Sequence, residues 1–322
     1  MTELWERFAY YGVRALLILY LIDTATGGLG WSPGHASRLY GWYNGLLYLT
    51  PVAGGWLADR LLGANRSLAI GGAIICLGYF TLALGTEPAF YGGLVLVIIG
   101  TGFFKPNVYT MVGQLYSPQD LRRDSGFTLY YMGINLGALL GPLVCAWFAA
   151  SPRFGWSWGF GMAGAGMLIG LAFYLGTRSN RLPRVGMRPL ASTGTSANAR
   201  APGGSLTAQE RQRILALALI TIFVVFFWLA FEQVGSSLNL FAAQRTDRAL
   251  SGWAAGWLPQ GKIPAAWFQA VNPLFVLLLA PVLARWWQRL GSRAPSTQTK
   301  MALGLVALGL GYLIMVLAAA KS

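Results

Sequence analysis

Three basic side chains lie inside long apolar stretches of this sequence, where a charge needs an ionic partner or a functional role. Arg7 and Arg14 fall in the first apolar run, and Lys105 lies far from both ends of a later one. A charge at the centre of a bilayer costs roughly 2.5–3.5 kcal/mol, so such residues face partners or a water-filled cavity. We therefore expect these cations to face the inside of a helix bundle. For Lys105 the alternative is snorkelling from its span to the membrane surface.

Two carboxylates accompany Arg7. Glu3 lies one helical turn before it and Glu6 directly precedes it. Two carboxylates beside one guanidinium form a cluster whose charge changes on protonation, and the released arginine can then hold an anion from outside. The alternative is that these residues only flank a short span at the membrane surface. On a helix of 100° per residue, the residues that share one arc of about 140° are Glu3, Glu6, Arg7, Tyr10, Tyr11 and Arg14.

Two polar residues elsewhere could join this chemistry. Asn135 lies in an apolar run with glycines at 133, 137 and 141, a strip that favours close helix packing. Asn135 points away from that strip, towards a cavity or another helix. Glu232 follows the apolar run 214–231. It is either a helix end that meets water or a titratable acid near an outer gate.

The composition indicates where such chemistry would take place. Of the 322 residues, 55% are hydrophobic and only 11% are charged, which excludes an ordinary soluble domain and a disordered chain. Open strands cannot cross a bilayer, so the pattern predicts an all-α, polytopic membrane helix bundle. Apolar runs long enough to span a membrane predict nine spans: 3–22, 39–58, 67–85, 89–113, 124–149, 156–175, 213–238, 265–287 and 301–320.

The placement of basic residues predicts the orientation of these spans. Most Arg and Lys residues fall in alternate connections, beginning with the loop 59–66, and the positive-inside rule places those connections and the N-terminus in the cytoplasm. This placement accounts for the net charge of +14, so we expect no nucleic-acid partner. Within that loop, Asp59, Arg60 and Arg66 could lock two helices together through salt bridges.

One segment interrupts the apolar pattern. Residues 176–212 are rich in Ser, Gly, Pro and Arg and predict a flexible cytoplasmic linker. It would join a six-helix N-terminal bundle, residues 1–175, to residues 213–322, an incomplete C-terminal bundle of three helices. We expect a passive tether; a regulatory role has no support in the sequence.

Enzymatic chemistry has little support. His35 is the single histidine and lies in a loop without neighbours at metal-ligand spacing, and no phosphate-binding glycine loop or nucleophile elbow occurs. We therefore expect no enzyme and no cofactor. Cys76 and Cys145 both lie in apolar runs and are expected to be buried free thiols.

Several motifs resemble known transporters. The loop around Asp59 and Arg66 looks like the signature of the major facilitator superfamily. Residues 3–11 (ELWERFAYY) resemble the ExxERFxYY motif of its proton-dependent oligopeptide transporter (POT) family. Residues 103–107 (FFKPN), 130–137 (YYMGINLG), 231–233 (FEQ) and 267–273 (WFQAVNP) are similar to further signatures of that family, in the same order along the chain.

The resemblance implies a twelve-helix, major-facilitator-type fold and symport of di- and tripeptides with protons by alternating access. It implies a multi-pass protein of the cell membrane, of the bacterial inner membrane type, with a monomeric transport unit. Residues implied for proton coupling are Glu3, Glu6, Arg7 and Glu232; for peptide binding Arg7, Tyr10, Tyr11, Tyr48, Lys105, Asn135 and Asn272; for a gating salt bridge Arg14 and Glu232; and for a conformational loop Asp59, Arg60 and Arg66.

The sequence departs from the family pattern at both ends. The family's acidic residue for the peptide amino group lies on the tenth span, beyond the nine predicted here, and the first span begins almost at its motif. We therefore expect a truncated member. The alternatives are a facilitator-type carrier of another small solute, such as a drug, nitrate or an amino acid, and a non-transporting fragment of a peptide transporter.

Overall fold

The computed structural model describes residues 1–116, 119–120, 122–181, 185–187, 189 and 207–320. Its helices are α1 (Thr2–Ile22), α2 (Pro33–Leu57), α3 (Ala64–Leu82), α4 (Glu87–Gln114), α5 (Arg123–Ala150), α6 (Trp156–Arg181), α7 (Ala208–Phe231), α8 (Ser237–Gln244), α9 (Val271–Leu290) and α10 (Thr297–Ala319).

The expectation of an all-α membrane bundle is confirmed. In the described part of the chain, nine helices are long, and the short α8 continues the path of α7. Seven of the helical segments are long and apolar enough to cross a membrane. The first two helices fall outside that set: α1 carries Glu3, Glu6, Arg7 and Arg14, and α2 is rich in glycine and aromatic residues.

Helices α1 to α6 pack into one bundle, and the strip of small residues on α5 explains its closest contact. Gly137 and Gly141 face α1 so tightly that an added Cβ on either would meet a backbone oxygen of α1, that of Leu4 or of Phe8. The main chains of α1 and α5 therefore touch, as small residues in membrane helices allow. This contact fixes the face of α1 that carries the charged residues.

The remaining helices join this bundle at one end. After α7, a 3-10 turn (Glu232–Gly235) leads into α8, and a second 3-10 segment (Ala265–Ala270) precedes α9. Asn239 donates a hydrogen bond to the carbonyl of Ala15 at 2.9 Å, and the Trp267 indole donates to the carbonyl of Leu143 at 2.9 Å. By contrast, α7 and α10 bury none of their residues. The second part therefore contacts the bundle at the end where α1 terminates.

The helices around the predicted linker extend into both of its ends. Helix α6 continues to Arg181, and α7 begins at Ala208 behind a capping box formed by Thr207 and Glu210. Residues 182–184, 188 and 190–206 lie outside the described residues. The division into a bundle at 1–175, a linker at 176–212 and a second bundle at 213–322 stays a prediction.

Both cysteines are buried free thiols, as expected. Cys145 is fully enclosed between α1 and α5, where its sulfur lies against Gly12, and Cys76 is 7% exposed.

The α1–α5 contact generates a testable prediction. In Gly141→Ala the new methyl group would meet the Phe8 carbonyl and the Gly12 nitrogen, 2.9 Å away, so the helices must separate. Overpacking of this kind costs about 1–3 kcal/mol. We expect a lower unfolding midpoint for the detergent-solubilised protein, followed by tryptophan fluorescence.

Gly133→Ala is the matched control, since its Cβ would meet only the Cβ of Leu4 at 3.9 Å. Its midpoint should stay unchanged or rise slightly. Equal midpoints for the two variants would contradict the close contact.

Candidate functional site

The first turns of α1 bury an ion cluster. Arg7 Nε lies 3.1 Å from Glu3 Oε1 and 2.5 Å from Glu6 Oε2, and the three side chains are at most 9% exposed. The guanidinium also stacks over the Tyr10 ring, 4.9 Å from its centroid. This burial disfavours the alternative in which these residues only flank a span at the membrane surface.

A second ion pair joins α1 to the second part of the chain. Arg14 Nη2 lies 2.8 Å from Glu232 Oε2, and Arg14 Nε donates to the Tyr40 hydroxyl at 3.0 Å. Arg14 is only 4% exposed, whereas the Glu232 side chain is 26% exposed. The second carboxylate oxygen of Glu232 is buried and has no partner in the described part of the chain. Of the two sequence alternatives for Glu232, the structure therefore favours the paired acid.

Lys105 projects from α4 towards α2. Its ammonium lies 4.0 Å from the centroid of the Tyr48 ring, and among the described residues it forms no ion pair. Helix α4 continues through Pro106, which cannot donate to the carbonyl of Gly102; that carbonyl instead lies against Gly54 of α2. Lys105 is a half-buried cation beside an aromatic face, so its ammonium can bind an anion.

The tyrosines of α1 continue this polar face. The Tyr10 hydroxyl donates to Asn44 Oδ1 at 3.3 Å, and Asn44 itself donates to the Tyr40 carbonyl at 2.8 Å. Tyr11 packs edge-on against Tyr10, and Arg14 lies over the Tyr11 ring at 5.7 Å. One line of hydrogen-bonding and aromatic groups therefore runs between the two ion pairs.

Asn135 and Asn272 meet at a small cavity of about 60 Å³ between α5 and α9. Asn135 is buried and donates to the Tyr131 carbonyl at 2.9 Å, while Asn272 is exposed. Gln269 is also buried at this cavity, and its Nε2 has no partner among the described residues. Tyr11 and Arg14 line the same cavity.

The predicted salt bridges of the loop between α2 and α3 are not formed with any described residue. Asp59, Arg60 and Arg66 are exposed, and none of them forms an ion pair with a described residue; Arg60 lies over the Trp56 ring at 4.7 Å. The salt-bridge lock therefore stays a prediction.

Neutral groups hold the start of α3 instead. Asn65 donates its backbone N–H to the Gly186 carbonyl at 2.9 Å, and Gly186 donates to Gln114 Oε1 at 3.0 Å. The Tyr174 hydroxyl donates to the Asn65 carbonyl at 3.1 Å. The chain that follows α6 thus closes this corner of the bundle.

Three side chains of the site were not among the sequence candidates. Tyr40 and Asn44 lie one helical turn apart on α2, and Tyr48 one turn further, so this polar face within a span was a usable signal. Gln269 belongs to the WFQAVNP stretch, but only the fold reveals its burial beside Asn135.

Most of the sequence matches a known protein family. The family model PTR2, described as "POT family", matches residues 65–194 and 196–322. The chain belongs to the POT family. Its residues 3–11, which carry the α1 cluster, lie before the matched range.

Similar proteins cover nearly the whole chain. It is 37% identical to "Uncharacterized transporter YclF" of Bacillus subtilis (strain 168), over 98% of this chain and 72% of that protein. It is 34% identical to "Peptide transporter YePEPT" of Yersinia enterocolitica subsp. palearctica, over 99% of this chain and 72% of that protein. A third relative, 32% identical over 98% of this chain and 73% of its own length, is a "Di-/tripeptide transporter" of Lactococcus lactis subsp. cremoris.

Solved structures agree with the fold. A crystal structure of a peptide transporter POT in complex with sulfate has a TM-score of 0.78 and 33% identity, and covers 98% of this chain and 72% of that one. A mutant POT in complex with alafosfalin has a TM-score of 0.82 and 34% identity, over 97% of this chain and 71% of that one. These are multi-pass membrane transporters and not enzymes, which confirms the expected class and the major-facilitator-type fold.

The pair between Arg14 and Glu232 generates a stability prediction. Glu232→Gln keeps the shape of the side chain but leaves the buried Arg14 charge without its carboxylate. A hydrogen bond to a charged group contributes about 1.5–3 kcal/mol. We expect a clearly lower unfolding midpoint in detergent at neutral pH.

Asp120→Asn is the control because it removes the carboxylate of another pair, whose Arg122 side chain is 83% exposed and 3.0 Å away. Exposed pairs contribute little, so this variant should keep the wild-type midpoint. If Glu232→Gln also kept it, the buried pair would not hold the two parts of the chain together.

Proposed function

We propose that this POT-family protein carries out proton-coupled symport of di- and tripeptides by alternating access. The observation that supports this most directly is the buried Glu3–Glu6–Arg7 cluster, together with Lys105, which forms no ion pair with a described residue. The names of relatives from Yersinia and Lactococcus, a peptide transporter and a di-/tripeptide transporter, favour peptides as the substrate.

The charges suit a substrate that carries a carboxylate. Lys105 has no ion pair with a described residue, so it can receive the peptide's C-terminal carboxylate without first losing a partner. Arg7 would become a second ligand when one of its own carboxylates is neutralised. The aromatic faces of Tyr10, Tyr11 and Tyr48 would pack against the peptide, while Asn135 and Asn272 offer amides to its backbone.

Charge balance explains why a proton would accompany the peptide. Glu3 and Glu6 carry two negative charges, and Arg7 with Lys105 carries two positive charges, so the empty cluster is neutral. A bound carboxylate adds one negative charge, and protonation of Glu3 or Glu6 restores neutrality. In a membrane interior, where net charge is costly, the two ligands therefore favour each other's binding. The membrane field contributes about 2.3 kcal/mol per charge per 100 mV to inward proton movement.

The pair between Arg14 and Glu232 would act as the outer gate. It closes the end of the bundle where Asn239 and Trp267 also bond to the first six helices. Oε1 of Glu232 has no partner among the described residues, and a Glu232 that lost its charge would hold Arg14 less strongly. Release of this contact would let the two parts separate, as expected of a transporter whose site lies between two halves.

The orientation follows the positive-inside rule. We place the N-terminus and the Asp59–Arg66 loop in the cytoplasm and the gate at the outer face of the cell membrane. The cluster and the gate both lie in one chain, which supports the proposal of a monomeric transport unit.

Uptake by proteoliposomes tests the proposal. The full chain is reconstituted, and entry of labelled dialanine is followed under an imposed inward proton gradient. Lys105→Ala removes a charged hydrogen-bonding partner, which is worth about 1.5–3 kcal/mol, so uptake at low peptide concentration should fall about tenfold or more. Glu6→Gln should abolish the dependence on the gradient, because it removes one protonatable carboxylate.

Lys300→Ala is the matched control, since it removes a lysine far along the chain, at the start of α10. Its uptake should equal that of the wild type. Gradient-driven uptake that survives in both Lys105→Ala and Glu6→Gln would overturn the proposal. Uptake of another solute that assorted dipeptides fail to inhibit would instead favour a carrier of a different substrate.

A further inference from the structure

A second cavity lies at the far end of α1, away from the ion cluster. Its volume is about 700 Å³. It forms where the end of α1, the turn between α5 and α6, and the loop between α8 and α9 meet. The apolar part of its wall comprises Leu16, Leu19, Ile22, Ala146, Ala149 and Ala150.

The polar part of this wall has an excess of positive charge. Arg248 and Lys262 line the cavity, and Asp23 is the acidic residue beside them. The Asp23 carboxylate is already occupied: it accepts bonds from the backbone of residues 25, 26 and 28, from the Thr26 hydroxyl at 2.6 Å and from the Trp156 indole at 2.9 Å. Burial would raise the pKa of Asp23, but these bonds bring it below its ordinary value. Asp23 therefore stays ionised, and its carboxylate holds the turn that follows α1.

Arg248 is held in place without a counter-ion. Its guanidinium donates to the carbonyls of Ile263 at 2.8 Å and Ala243 at 3.3 Å, and its Nε is buried without a partner in the described part of the chain. Burial lowers the pKa of Arg248. No described carboxylate forms an ion pair with Arg248 or Lys262. The cavity thus presents a guanidinium held in place and an exposed ammonium, and an anion would neutralise both.

Two exposed indoles lie on the loop beside this cavity, as expected for a segment at the depth of lipid headgroups. Trp253 and Trp257 are 85% and 77% exposed, and both belong to the loop that carries Arg248 and Lys262. The pairing of Ala249 with Lys262 closes that loop into a hairpin. Tryptophan prefers the interface between the apolar and aqueous parts of a membrane. Helices α1 and α5 also end here, at Ile22 and Ala150.

We infer that this cavity binds the phosphate headgroup of an anionic phospholipid. Arg248 and Lys262 receive the phosphate, and the acyl chains follow the apolar wall formed by α1 and α5. An apolar wall beside two cations fits a phosphate that carries a tail better than a free anion. A bound lipid would bridge α1, α5 and the hairpin, and so tie the two parts of the chain together.

Lipid titration of the purified full chain tests this site. The protein in dodecyl maltoside receives short-chain phosphatidylglycerol or, in parallel, phosphatidylcholine of equal chain length, whose ammonium compensates its phosphate. Native mass spectrometry gives the apparent affinity, and the unfolding midpoint gives the stabilisation. We expect tighter binding and a larger stabilisation with phosphatidylglycerol.

Two variants locate the binding. Lys262→Gln removes an exposed cation that folding does not need, and phosphatidylglycerol affinity should fall about fivefold, the effect of one basic residue near anionic lipid. Arg248→Gln should reduce it at least as much; should that variant fail to fold, Lys262→Gln still decides. Arg153→Gln is the control, since Arg153 is exposed at the same end but does not line the cavity, and its affinity should be unchanged.

Four outcomes would overturn the inference. These are equal affinity for the two lipids, an equal loss in Arg153→Gln, an equal stabilisation by inorganic phosphate alone, and displacement of phosphatidylglycerol by dialanine. The third would indicate a free-anion site, and the fourth an entrance for peptide. None of these results depends on whether the chain transports peptides, so the inference and the proposed function can fail separately.

Discussion

The cost of burying charge in a membrane governs the arrangement of this protein. Each charged side chain on the inner face of α1 has a partner: Arg7 has Glu3 and Glu6, and Arg14 has Glu232 and Tyr40. Half-buried Lys105 is the exception, with an aromatic face instead of a carboxylate. The Glu3–Glu6–Arg7 cluster and Lys105 together are neutral, so Lys105 can receive an anion, and a proton taken up with that anion would keep the site neutral.

Helix α1 combines the two ion pairs on one rigid element. Its contact with α5, main chain against main chain at Gly137 and Gly141, sets the direction in which the charged face points. Arg14 lies two turns beyond Arg7 on the same helix. A displacement of α1 at one ion pair would therefore also displace the other, without an intermediate chain of contacts. In the proposed cycle, proton uptake, peptide binding and opening of the gate would thus be properties of a single helix and its neighbours.

The sequence predicted the features that depend on residue spacing and on the free-energy cost of placing charge in a bilayer. Buried cations in apolar runs, their arc on α1 and the all-α bundle follow from spacing and from the bilayer alone. The position of Gln269 beside Asn135 did not follow from spacing, because it requires the 3-10 segment Ala265–Ala270 to pack on α5. The hydrogen bonds of Gly186 at the start of α3 could not be predicted, because Gly186 lies more than a hundred residues after the Asp59–Arg66 loop and only the fold brings the two together. The division at the linker 176–212 stays a prediction; α6 continues to Arg181 and α7 begins at Ala208, since a helix can continue after its apolar residues stop.

The burial of the two native cysteines has a practical consequence for spectroscopy. A thiol enclosed by packed helices is inert towards labelling reagents, and Cys145 and Cys76 are both enclosed in this way. The two native cysteines are therefore expected to remain unlabelled. An added surface cysteine can carry a spin label or fluorophore without prior replacement of the native cysteines. Distances between such reporters on α7 and α4 would follow the conformational cycle in real time.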